Sequence, residues 1–233
     1  MCDIIKTAKY DTITERIFIM EKARFAMLFS GGKDSAMALG KMIEAGHTPV
    51  CIVVSKNTSG YTHMHMIRKN LLNRYSEALG LPIEVVKMRD KYDFEIWEET
   101  VKMLIEKYKI DALCSGDIAF EYSIDNQKKI AEKYGIKTFS PLWGIDEESA
   151  IKEVLKYKVI VKCIGKSYGL DDIVGKTLTP ELIEQMHSHG LELTDDTAVL
   201  HTLVFDGPIF SHPVSHTMRK VFTSSDVCMI DII

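Results

Sequence analysis

Long hydrophobic runs are missing from this 233-residue chain: no apolar segment approaches the roughly 20 residues needed to span a bilayer. The first residues also lack the hydrophobic centre of a secretory signal, so a cytoplasmic location is expected. Cysteines are few and form no Cys-x-x-Cys pair. Of the five (Cys2, Cys51, Cys114, Cys163 and Cys228), Cys51, Cys114 and Cys163 lie in apolar, strand-like runs, as buried free thiols in a reducing compartment do. Basic residues are not in excess. With 29 Lys and Arg against 33 Asp and Glu the net charge is −4, so no overall basic field is available to hold a nucleic acid backbone. Repeats and low-complexity stretches are absent as well. A composition of 46% hydrophobic and 27% charged residues leaves a soluble globular protein with one large or two modest domains.

The most informative stretch present is Ser30-Gly31-Gly32-Lys33-Asp34-Ser35. It lies where the apolar run Phe25–Phe29 hands over to a helix-like run beginning at Ala36. A strand, a glycine turn and a helix start make an anion site. The glycines allow a tight turn and close approach, the first helix amides point outward unpaired, and the helix dipole adds partial positive charge. Lys33 adds a full charge and the serines add hydroxyls. The spacing is not that of the Walker loop, which places four residues between its first glycine and Gly-Lys. The order Ser-Gly-Gly-x-Asp-Ser resembles instead the PP-loop of the N-type ATP pyrophosphatases, which implies ATP cleaved between its α and β phosphates.

From Phe25 onward strands and helices alternate. Strands are expected at 25–29, 48–54, 83–88, 112–115 and 137–140, with helices to about residue 45, from His65 to Leu79, from Asp93 to Lys109 and through Gln127 to Tyr134. Alternating βα units predict a doubly wound parallel sheet. After Trp143 the pattern changes to an acidic helix from Glu147, a strand at 159–164, a helix near 180–189 and short strands. The expected division is an N-terminal extension at 1–23, a nucleotide domain at 24–144 and a smaller α+β lobe at 145–233. The short apolar run Ile17–Met20 has no assigned role. Ligands of such sheets sit beyond the carboxyl ends of the strands, where the loops after Phe29, Val54 and Ser115 fall.

Several short segments, in order, extend the resemblance. His65 stands before Gly80-Leu81-Pro82, Gly116-Asp117-Ile118 follows the fourth strand, and Pro141-Leu142-Trp143 comes next. Gly169-Leu170-Asp171 with Gly175-Lys176, and His201-Thr202 with Asp206-Gly207-Pro208, complete the series. On these residues the chain resembles the diphthine-ammonia ligase family of PP-loop ATPases, as a divergent member, over about 25–210. The resemblance implies a fold of the adenine nucleotide α-hydrolase-like type. Two segments depart from the family pattern. Asp195–Thr202 lacks the two glycines and second glutamate of the usual Gly-Glu-x-Gly-Glu-aromatic-His-Thr, and Glu121–Asp125 replaces the usual Tyr-Gln-Arg. Both departures fall where an acceptor should bind.

The resemblance implies an amide-forming ligase that adenylates a carboxylate, cleaving ATP to AMP and pyrophosphate, for attack by free ammonia. Fixed amides, a lysine and a helix N-terminus suit the charge that grows on departing pyrophosphate. Lys33, Asp34 and Ser35 are the catalytic candidates. Ser30, Gly31, Gly32, Lys33, Asp34, Ser35, Val54, Ser55, Gly116 and Asp117 are the candidates for binding ATP. His65, Asp171, His201 and Thr202 are those for the acceptor, and Asp34 and Asp117 those for magnesium. Asp34 has a second reading as a first-turn acid that stabilises the helix without touching ligand. His63 and His65, like His187 and His189, are spaced i, i+2, which points them apart on a helix and disfavours a metal site. His212 and His216 read as a solvated loop, and Glu147, Glu148 and Asp172 as solvated acids.

The expected partners are ATP, ammonia and a carboxylate acceptor, with no membrane and no nucleic acid; elongation factor 2 carrying diphthine is the acceptor the family name implies. A different small-molecule or tRNA acceptor, a module that binds ATP without catalysis, and assembly into a homo-oligomer remain open.

Overall fold

The computed structural model describes residues 21–56, 65–88, 93–195, 197 and 199–233. The expectations for residues 1–20, His63, Asp196 and Ala198 lie outside the described residues. The element order begins with β1 (Arg24–Leu28), α1 (Lys33–Glu44), β2 (Thr48–Lys56), α2 (Lys69–Leu79) and β3 (Ile83–Lys87). It continues with α3 (Phe94–Tyr108), β4 (Ala112–Cys114), α4 (Glu121–Tyr134) and β5 (Lys137–Phe139). Then come α5 (Glu147–Val154), β6 (Lys158–Gly165), α6 (Pro180–Ser188), β7 (Leu200–Asp206), β8 (Met218–Thr223) and β9 (Val227–Ile232).

β1 to β5 form a parallel sheet in the order β3-β2-β1-β4-β5, the doubly wound arrangement expected. β1 is central, and successive residues serve opposite faces. Phe25 and Met27 join Met37, Leu71 and Tyr75 from α1 and α2, whereas Ala26 joins Val53, Val101, Leu104 and Ile130 on the α3–α4 side. The chain leaves β1 in one direction toward β2 and β3 and later crosses to β4 on the other side. A crevice therefore opens at the carboxyl ends of β1 and β4.

β6 to β9 form the second, smaller sheet, antiparallel in the order β7-β6-β9-β8. Its apolar face shares one core with α1 and α2, through Val159, Val161, Leu203 and Phe205. α1 contacts both sheets and is buried along most of its length, continuously from Ser35 to Gly40, as a helix between layers must be. Its small residues allow that approach. A Cβ on Gly40 would overlap the Tyr157 hydroxyl, which lies 3.4 Å from the Ala36 carbonyl. Gly40→Ala, a change that gains about 1 kcal/mol in an exposed helix, is expected here to lose about 1–3 kcal/mol in chemical denaturation.

Sequence and structure differ at the second helix. Helix was expected from His65, but α2 begins at Lys69. His65 lies in a turn, Met66 has φ +48°, and Arg68 is the extended residue before the helix. This turn carries His65 and Ile67 back over the glycine loop.

Candidate active site

The Ser30–Ser35 loop leaves the carboxyl end of β1, where the Phe29 amide still donates to the Val53 carbonyl at 2.9 Å. Gly31 turns with φ +81°, and a Cβ there would lie 2.7 Å from Ile67 Cδ1. Gly32, the residue before α1, is as constrained: its Cβ would lie 2.7 Å from His65 Cε1. Within the loop Ser35 Oγ donates to the Gly32 carbonyl at 3.0 Å, and the Gly32 amide donates to Ser30 Oγ at 3.3 Å. One of the helix amides expected to be unpaired is engaged, since the Lys33 amide donates to Thr202 Oγ1 at 3.0 Å. The amides of Gly31, Asp34 and Ser35 have no acceptor among the described residues. They are the donors an anion would meet. Lys33 is buried and its Nζ lies 2.6 Å from Asp34 Oδ1, so the charge is held at the helix start.

Gly116, at the end of β4, lies against the peptide joining Asp34 to Ser35. It shapes the loop from below. Asp117 Oδ2 accepts from Ser123 Oγ and Gln127 Nε2, both at 3.1 Å, which ties the β4 loop to the start of α4. Asp34 and Asp117 thus each spend a carboxylate oxygen on protein donors. No group of three His, Cys, Asp or Glu among the described residues is arranged to hold a metal ion. The pair is not a ready-made magnesium cage.

Beside the loop a cavity of about 390 Å³ opens at the carboxyl ends of β1 and β2. Phe29, Ser30, Val54 and Ser55 line it, which brings the candidates Val54 and Ser55 to the same cavity as Ser30. Its other walls are aromatic: Phe94 and Trp97 from α3, and Phe120 and Tyr122 from the start of α4. A largely apolar slot bordered by Ser30, the first residue of the glycine loop, has the size and lining to take a flat aromatic base. Of these aromatics only Tyr122, in the Glu121–Asp125 departure, lies in a segment singled out from the sequence. Each follows a parallel strand by one loop, and that placement was the available signal.

His65 also lines the cavity and meets His201 of β7 with ring centroids 5.2 Å apart. Burial pushes the His65 imidazole down to about 3, helped by His201, Lys162 and Lys33. His201 is lowered for the same leading reason, with Lys33 adding to it and Asp34 opposing. Both rings are therefore neutral near pH 7. An unfolded chain protonates a histidine near its ordinary 6.5, whereas folded His65 resists until about 3. Stability is then full above pH 6.5 and is lost as the pH falls through that window. Melting curves between about pH 7 and 4 should show a shallower acid loss for His65→Gln than for the wild-type chain.

Asp171 is not brought to the loop. Its carboxylate faces Lys166 Nζ at 3.5 Å and its carbonyl faces Cys228, which belongs to β9, on the opposite side of β6 from β7. Lys162, not singled out from the sequence, is buried in β6; its Nζ donates to the Ile230 carbonyl, and burial lowers it. Arg68 pairs with Asp231 at 2.9 Å and fastens the turn carrying His65 to β9. The remaining histidines among the described residues have structural partners: His47 with the Ala23 amide, His187 with Glu147, His189 with the Tyr168 carbonyl, His212 with Ser211 and His216 stacked on Phe205. Cys51, Cys114, Cys163 and Cys228 are buried free thiols, and burial pushes Cys51 up to about 12.

The family model described as the diphthamide synthase N-terminal domain matches residues 23–138, which carry the loop, the cavity and all of the parallel sheet but its last residue, Phe139. Residues 23–138 form that domain. The diphthamide synthase domain places the chain in the PP-loop ATP pyrophosphatase class, whose members use ATP. Over most of its length the chain is a distant relative of diphthine–ammonia ligases. It is 23% identical to the one from Homo sapiens, with 82% of each chain covered, and 24% identical to that from Rattus norvegicus, with 87% of this chain and 86% of the relative covered. A solved structure described as a predicted subunit of tRNA methyltransferase from Methanocaldococcus jannaschii aligns at a TM-score of 0.42 and 16% identity, over 82% of this chain and all of the other. Among the described residues, no helix is long and apolar enough to cross a membrane.

Proposed function

We propose that the protein is an ATP-dependent ligase that joins ammonia to a carboxylate, with cleavage of ATP to AMP and pyrophosphate, and that its acceptor is diphthine on elongation factor 2. The observation that carries this reading is the loop itself. The amides of Gly31, Asp34 and Ser35 have no acceptor among the described residues, the buried Lys33 ammonium stands at the same helix start, and the loop's first residue, Ser30, lines an aromatic slot at the switch point of the parallel sheet.

The acceptor carboxylate oxygen attacks the α phosphorus of ATP, forming a P–O bond as the bond to pyrophosphate breaks; ammonia then attacks the acyl carbon, AMP leaves with its oxygen, and the nitrogen loses a proton to give the amide. Lys33 and the loop amides hold negative charge as it shifts onto the departing phosphates, in a site that excludes much of the water. Gly31 and Gly32 allow the backbone to come close enough to do so. Val54 and the aromatic walls hold the base. Neutral His65 and His201 border the loop without adding a charge that would compete with Lys33 for the phosphates. Magnesium is expected to arrive with the phosphates, which supply most of its oxygens.

A second acceptor class has one observation in its favour. Of the Glu121–Asp125 departure, Tyr122 and Ser123 lie on the cavity wall and face whatever enters. Mass spectrometry of elongation factor 2 after incubation with the protein, ATP and ammonium tests the acceptor. Amide formation only on the diphthine-bearing factor supports the proposal. ATP binding with no modification of either form of the factor would contradict it and leave another carboxylate, or an inert nucleotide module.

A further inference from the structure

Contacts within the parallel domain account for the hydroxyls of Ser30 and Ser35, yet two bonds reach the loop from the antiparallel sheet. The Val204 amide donates to the Gly31 carbonyl at 2.9 Å, and Thr202 Oγ1 accepts from the Lys33 amide at 3.0 Å. Thr202 contributes its side chain and Val204 its backbone amide, from positions two apart on one strand. β7 is the edge strand of its sheet, so one row of its backbone groups is open for such pairing. Thr202 is 2% exposed, and its hydroxyl is committed inside the protein.

The arrangement answers a conflict within the loop. A helix start is ordinarily capped by Ser, Thr, Asp or Asn just before it, whose side chain takes one of the first amides. Here that position is Gly32, which carries no cap, and His65 leaves no room for a side chain. The capping oxygen comes instead from a residue 169 positions later. The amides of Asp34 and Ser35 stay free as a result.

We propose that β7 is a latch on the glycine loop and that Thr202 is the positioning residue that holds the first turn of α1 in the geometry phosphate binding requires. The inference rests on the reading of this loop as the ATP site. It assigns Thr202 to the nucleotide, whereas the sequence resemblance assigns it to the acceptor. Because His201 faces His65 from the same strand, β7 touches both the loop and the wall of the cavity.

The test compares Thr202→Val, which keeps the shape without the hydroxyl, with Thr202→Ser, which keeps the hydroxyl. Calorimetric titration with ATP is expected to give a Kd raised about tenfold for the valine variant and within about twofold of wild type for the serine variant, the size of change expected from one lost cap. Hydrogen exchange supplies a readout that needs no ligand. The Lys33 amide should exchange about tenfold faster in the valine variant, with the Leu39 amide unchanged. A merely structural role would lower the melting temperature of the valine variant without moving its Kd. An unchanged Lys33 exchange rate, or a serine variant as impaired as valine, would overturn the latch. Failure of the wild-type chain to bind ATP would overturn the ATP reading instead, and the exchange measurement would still decide whether Thr202 holds α1.

Discussion

Lys33→Ala is expected to lower pyrophosphate release by a factor of about 10²–10³, the usual cost of removing one donor aimed at developing charge in a water-poor site. The ammonium is buried and held 2.6 Å from Asp34 Oδ1 at the start of α1. Lys33→Arg should recover little, because a planar guanidinium does not fit the space of a compact ammonium. Stability should change far less than rate. Asp34 is 36% exposed and regains water when its partner is lost, so a loss of about 1 kcal/mol in denaturant melts is expected. Turnover unchanged in Lys33→Ala would remove the loop from the chemistry.

Gly116→Ala is expected to damage both fold and site. Its Cβ would lie 2.6 Å from the Asp34 carbonyl carbon and 2.7 Å from Ser35 N, and these are backbone atoms that cannot swing aside. Either β4 or the first turn of α1 must move. We expect a loss of about 2–3 kcal/mol in stability, in the upper range for overpacking a filled interior. ATP affinity should fall at least tenfold, because the peptide that shifts carries one of the free amides. Gly80→Ala separates the two effects. Gly80 has φ +66° and nothing within 4 Å of its Cβ, so that variant should lose about 1 kcal/mol through backbone strain alone and bind ATP normally. Equal ATP binding by Gly116→Ala and the wild-type chain would contradict the role given to this contact.

These contacts mark what sequence reading reaches. The parallel strands are legible because burial on both faces makes each a nearly continuous apolar run, and the helices between them have the expected lengths. The loop is legible because glycine, lysine and serine types serve a local geometry within six residues. The Thr202 cap is not, since a bond across 169 residues leaves no local pattern at either end. The start of α2 was misplaced because the turn at His65–Arg68 is held by Arg68 to Asp231 of β9, far along the chain. Asp171 matched a family segment by type and spacing. Its own contacts are with Lys166 and Cys228, and local spacing cannot report which sheet face or strand a residue joins. The aromatic slot was overlooked for a related reason: Phe94, Trp97, Phe120 and Tyr122 come from two helices that meet only in the folded domain.

The most direct test of the account separates the nucleotide products. With ATP labelled at the α phosphate, ammonium and diphthine-bearing elongation factor 2, the loop geometry and the domain it belongs to predict labelled AMP with an equal amount of pyrophosphate. Labelled ADP with inorganic phosphate would contradict it, because cleavage would then fall between the β and γ phosphates and the reading of this loop as the site of α–β cleavage would be wrong.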